Sequence, residues 1–132
     1  MAISPDKAKA ALDHAVTKVM LRDKKSGVWK ALQRDGITTI LDLVTMDPQR
    51  VQQLTYLDSN KEELLLTGGD QGAILAFLGY IQFRASVNKP IIGNDWLTIS
   101  RQEYEEDYLF RGSFVYFNPA KIIPGASPRL LS

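Results

Sequence analysis

The stretch GITTILDLVTMDP, from Gly36 to Pro48, constrains the fold more than any other in this chain. Glycine enters the left-handed region at little steric cost, so Gly36 reads as the residue just past a helix end. Ile37 then turns inward, and Thr38 or Thr39 caps a new helix whose Ile40, Leu41, Leu43 and Val44 face a core. Asp47 followed by Pro48 repeats the start signal, an N-cap with proline at the first helical position, and opens a further short helix presenting Val51 and Leu54. Successive short helices with almost no loop between them are the signature of a compact helical bundle.

The flanks extend the pattern. Ser4, Pro5 and Asp6 start a first helix that should run to about Leu21, with Ala8, Leu12, Ala15, Val16 and Val19 on one stripe. Lys24 to Gly27 read as a turn, in which Ser26 or Gly27 caps a helix carrying Val28, Trp29, Ala31 and Leu32. Beyond Leu54 the helical period lapses. TYLDSN reads as a turn and KEELLLTGGD as an extended piece, so a short hairpin or ordered loop is expected there. Asp70 then caps the central core helix, whose face is Ile74, Leu75, Phe77, Leu78, Ile81 and Ala85, with Gly79 marking close approach of a neighbouring backbone. Phe77, Tyr80 and Phe83 lie at helical spacing and read as core. Val87 to Asp95 is a loop, and Ser100 with Glu103 forms a capping box for a last helix through about Arg111, stapled by Trp96, Leu97 and Ile99.

The expected fold is therefore all-α: a compact bundle of short helices, helix-hairpin-helix or sterile-alpha-motif-like, over residues 1–111, with an extended tail at 112–132. A hairpin that grips DNA needs a second glycine soon after the first, so that bare amides reach phosphate; here Thr38 stands at that place, and the hairpin reads as structural. The tail holds Phe114, Tyr116, Phe117, Ile122 and Ile123, too apolar to stay in water, and should dock on the domain or on a partner.

Function is narrowed mainly by what is missing. The chain of 132 residues has no cysteine, which excludes disulfides, thiolate nucleophiles and Cys-based metal sites. His14 is the one histidine, so neither a histidine triad nor a multi-histidine metal site can be assembled in one chain. The pairs Glu62 with Glu63 and Glu105 with Glu106 are adjacent in sequence and diverge on a helix, so they read as solvated rather than catalytic. Gly68, Gly69 and Gly72 lack the lysine and hydroxyl of a phosphate-binding loop, and Asp70 would repel an anion. No enzyme activity and no cofactor are expected. The apolar content of 45% is ordinary for a globular protein, and no apolar run approaches the roughly eighteen residues of a membrane span, so a soluble, intracellular protein is expected.

Net charge is only +1, yet it is unevenly spread. Arg22, Lys24, Lys25, Lys30 and Arg34 form a candidate basic interface, and Glu103, Glu105, Glu106 and Asp107 a candidate acidic one. Two functions follow. A protein interaction and assembly module would use the two faces against different partners or copies, as a subunit of a larger complex or by self-association. A nucleic-acid-binding domain would use the basic face against phosphates.

The order GITTILDLVTMD, LTYLD, GDQGAILAFLGYIQFR and NKPIIGNDWLTISRQEY, over about Trp29 to Tyr108, resembles the small N-terminal, Gag-position domain of Copia-like retroelement polyproteins and related uncharacterised diatom open reading frames. The resemblance implies assembly or nucleic-acid packaging and brings no catalytic residues. No zinc knuckle, protease, integrase or polymerase follows within these residues, so a truncated piece, a domesticated relative and a freestanding subunit are all open readings.

Overall fold

Residues 3–109 are described by the computed structural model. Helix α1 (Pro5–His14) begins as expected, with the Ser4 hydroxyl accepting from the Lys7 amide and Pro5 at the first position. It does not run to Leu21 as an α-helix. Ala15–Val19 continue it as a π turn, closed by the Met20 amide on the Ala15 carbonyl at 2.8 Å. The extra residue in that turn keeps Ala15, Val16 and Val19 on the buried side already set by Ala8, Ala11 and Leu12. Leu21 then adopts a positive φ of 59° and ends the helix.

Helix α2 (Gly27–Arg34) is capped by Ser26, whose hydroxyl accepts from the Trp29 amide. Its end satisfies two carbonyls at once: the Gly36 amide bonds to Gln33 and the Ile37 amide to Leu32, with Gly36 at φ +81°. This is the Schellman closure, and it drives Ile37 into the core. Helix α3 (Ile40–Val44) carries a reciprocal capping box between Thr39 and Asp42. Ile40 and Leu43 are buried, but Leu41 is 49% exposed and does not face the core, because a helix of five residues can bury only one narrow stripe. Asp47 caps the next turn through the Gln49 amide, although Pro48–Gln53 is 3-10 rather than α.

A two-stranded antiparallel sheet interrupts the helices, so the described residues are mostly helical rather than all-α. Strand β1 (Thr55–Leu57) pairs with β2 (Glu63–Leu65) in the register Thr55 with Leu65, Tyr56 with Leu64 and Leu57 with Glu63. TYL is thus strand, and only the residues after it turn. Asp58 closes the loop by donating its amide to Glu62 and accepting from Lys61, which sits at φ 62°.

Helix α4 (Gly68–Ser86) is the core element, with an unbroken buried run from Ile74 to Tyr80. Two expectations fail at its ends. Its cap is Thr67, not Asp70; the Thr67 hydroxyl accepts from the Asp70 amide, and the two glycines belong to the first turn. Ala85 is exposed, because the helix leaves the core after Ile81 and Phe83. A 3-10 turn, Gly93–Leu97, then brings Trp96 onto α1. Helix α5 (Arg101–Tyr104), capped by Ser100 through the Glu103 amide, continues as a π turn over Glu105–Leu109.

One core joins these pieces. Two bonds tie the last segment to the first: His14 Nε2 lies 2.7 Å from the Ile99 carbonyl, and the Arg101 guanidinium donates to the Val19 carbonyl. No helix among the described residues is long and apolar enough to cross a membrane.

Candidate functional site

The candidate basic residues lie on the turn between α1 and α2 and along α2 itself. Arg22 donates to Asp70 at 2.8 Å and to the Met20 carbonyl at 3.2 Å. Lys24 meets the Asp13 carboxylate at 2.6 Å and stands over the Trp29 ring, 5.5 Å from its centroid. Arg34 bridges the hairpin, with Glu63 at 3.1 Å and the Thr55 hydroxyl at 3.1 Å. Three of the five are therefore spent on acids that sequence spacing does not reveal, since Asp70 and Glu63 are far along the chain. Lys25 and Lys30 are held in no ion pair among the described residues. The surface between is mixed in sign. One open cleft of about 340 Å³ is lined by Lys9, Asp13, Lys24, Trp29, Gln33 and Thr38, and a broader depression beside it by Asp13, Lys18, Arg22, Asp23 and Lys24 among others.

The acidic block divides into two halves along α5 and its continuation. Glu105 accepts from Arg101 at 2.7 Å, one turn back, and Glu106 from Gln102 at 3.1 Å. Glu103 and Asp107, also one turn apart, line a different place: an open cleft of about 500 Å³ shared with Phe83, Arg84, Val87 and Lys89 from the end of α4. Beneath it lies an aromatic cluster that fixes α5 on α4. Tyr80 and Tyr104 meet edge to face at 5.0 Å, and Tyr108 contacts both Tyr80 at 5.5 Å and Phe83 at 5.4 Å. Such pairs contribute about 0.5–1.5 kcal/mol each beyond the area they bury. Burial pushes the Tyr104 phenol up to about 12, against the pull of nearby Arg101, and raises Tyr108 as well. The stripe Phe77, Tyr80, Phe83 is core, as its spacing indicates.

His14, Glu63 and Asp70 each have a partner. The His14 ring nitrogen at 2.7 Å from a carbonyl is its proton-bearing one, because a carbonyl oxygen can only accept. Glu63 is paired with Arg34, and Asp70 with Arg22. No group of three or more acidic, histidine or cysteine side chains among the described residues could hold a metal ion. The candidate docking residues Phe114, Tyr116, Phe117, Ile122 and Ile123 lie outside the described residues.

Sequence reasoning expected a short hairpin or ordered loop beyond Leu54 but read TYLDSN as a turn, and so missed strand β1. The hairpin's leucines are exposed, Leu57 at 43%, Leu64 at 38% and Leu65 at 59%. The run ELLL carried that signal, since three consecutive leucines cannot all face one core from a strand. Compared with known protein families, curated proteins and solved structures, the chain finds no match.

Proposed function

We propose that the chain is a non-enzymatic helical interaction and assembly module, whose basic and acidic surfaces meet different partners or different copies of itself. The disposition of free charge supports this reading. Glu103 and Asp107 face an open cleft with no ion pair among the described residues, while Lys25 and Lys30 stand unpaired on another element. Contacts between unlike surfaces propagate into rings or filaments. The reading of residues 1–111 as a helix-hairpin-helix or sterile-alpha-motif-like bundle, and the Gag-position resemblance of residues 29–108, point the same way. Mass measured by light scattering in low and high salt tests it. An oligomer in low salt that dissociates in high salt is expected, because exposed charges are screened beyond about 10 Å at 0.1 M salt. A monomer in both conditions that binds no partner in the same buffers would overturn it.

The second reading, a nucleic-acid-binding domain, draws on Lys25 and Lys30. With Arg22, Lys24 and Arg34 neutralised, two phosphate contacts remain, and the expected salt slope is only about −2. A labelled RNA or DNA shifted by the monomer with a slope of about −2 would favour this reading over assembly.

A further inference from the structure

The fold treats the two tryptophans of this chain differently. Trp96 is buried, whereas Trp29 stands half-buried at the edge of the core. Its place is fixed, since it is the third residue of α2 and its amide donates to the capping hydroxyl of Ser26. With Gln33, one turn on, Trp29 makes one wall of the open cleft of about 340 Å³, and Lys9, Ala10 and Asp13 of α1 make the other. The indole face is reached from that cleft, because the Lys24 ammonium already lies over it, 5.5 Å from the ring centroid. Lys24 also pairs with Asp13 at 2.6 Å, so the acid lining the cleft is neutralised. Lys9 in the cleft, and Lys25 and Lys30 on either side of Trp29 in the chain, hold no ion pair among the described residues. Gln33 donates Nε2 to the Ile37 carbonyl at 3.3 Å, which leaves its amide oxygen to accept.

We infer that this cleft binds one base of a single-stranded nucleic acid, stacked on the Trp29 indole in place of the Lys24 ammonium, with Lys9, Lys25 and Lys30 taking phosphates. A flat aromatic face among unpaired cations suits such a strand, because every base has a π face and its backbone is a chain of negative charges. An acidic peptide would pair with the same lysines but leave the indole face unmet. A duplex cannot use it either, since its bases are already stacked on one another, so the site selects single strands. Displacing Lys24 from the ring costs little, because its side chain is 58% exposed and a cation–π contact in water is weak. The Gln33 oxygen offers an acceptor to the exocyclic amino group of adenine or cytosine. This inference rests on the nucleic-acid reading and adds to it a contribution that salt does not screen, because stacking releases no counterions.

Fluorescence anisotropy of a short labelled oligoadenylate, titrated with the full chain over a range of salt, tests it. The wild type should bind with a salt slope of about −2, at roughly 0.7 for each of three phosphate contacts on a single strand. Trp29→Leu keeps an apolar side chain at the edge of the core and removes the flat face. It should weaken binding about 5- to 150-fold at every salt concentration, as expected for one stacked base, and leave the slope unchanged. Lys25→Gln and Lys30→Gln should each make the slope shallower by roughly 0.7. In the wild type, saturation with oligoadenylate should quench tryptophan emission, and Trp29→Phe, with its smaller ring, should bind between the wild type and Trp29→Leu. A strand bound equally well by Trp29→Leu, or bound without quenching, overturns the inference while leaving phosphate contacts standing. If Trp29→Leu loses its helical circular dichroism, the quenching and the Trp29→Phe titration decide instead. Equal affinity for the duplex of the same sequence also overturns the inference, and a wild type that binds no oligoadenylate in low salt overturns the nucleic-acid reading with it.

Discussion

A Cβ built on Gly27 would stand 2.8 Å from Cε1 of Tyr56, closer than side chains ever approach. The first residue of α2 thus admits β1 only because it is glycine, and the sequence feature that reads as a cap is also a packing site. Gly27→Ala should destabilise the protein by about 1–3 kcal/mol, the usual cost of overpacking. The same change in a Tyr56→Leu background should cost less, since the ring is what the methyl meets. Chemical denaturation of the four proteins of this cycle measures the coupling. Equal costs in both backgrounds would place the strain elsewhere.

Gly36 is the contrasting case. A Cβ there meets nothing within 4 Å, so the only obstacle is its backbone angle of +81°. Gly36→Val should cost at least about 1–2 kcal/mol through the left-handed conformation alone, and the cost should not depend on what packs nearby. Gly36→Asn should recover part of it, because asparagine tolerates this region. Thermal unfolding of the two variants decides between conformational strain and a lost contact.

The legible parts of this fold were those written in local chemistry. Ser4, Ser26, Thr39, Asp47 and Ser100 cap the helices they precede, and Gly36 closes α2, because a cap needs only an oxygen within three residues of a free amide. Asp70 misled because Thr67 competes for the same role three residues earlier and wins, leaving the Asp70 carboxylate free for Arg22. The basic face was misread for a related reason. Arg22 pairs across 48 residues of sequence and Arg34 across 29, and neither spacing leaves any local mark. Strand β1 was hidden by its length, for three residues cannot display a period of two.

Acid titration should expose the capping box of α3. The Asp42 carboxyl is held below the usual carboxylate range first by the Thr38 amide, with the Thr39 amide and hydroxyl adding to it and partial burial opposing. Asp35 is lowered too, mainly by its hydrogen bond from Arg50. A carboxyl whose folded pKa lies below its unfolded value binds its proton less readily when folded, so the stability it contributes is present above about pH 4 and is lost as pH falls further. Asp42→Asn should be less stable than the wild type at neutral pH, and the gap should close in acid. Urea midpoints measured down the pH scale test this, and a constant gap would detach Asp42 from the effect.

The opposite sign applies at the alkaline end, where the aromatic cluster under α5 is tested. Tyr104 is raised from 10.0 to about 12, chiefly because burial disfavours the phenolate. A folded pKa above the unfolded one means that the folded protein holds its proton more tightly, so this contribution is complete below about pH 10 and disappears as pH climbs toward 12. Two pH units correspond to about 2–3 kcal/mol at most. Phenolate absorbance from Tyr104 and Tyr108 should therefore appear together with loss of helix. Tyr104→Phe removes the ionising hydroxyl while keeping the ring against Tyr80 and Phe77. Unless other buried tyrosines govern the transition, its helix should survive to higher pH than that of the wild type, and an unchanged alkaline midpoint would assign the transition to Tyr108, which burial also raises.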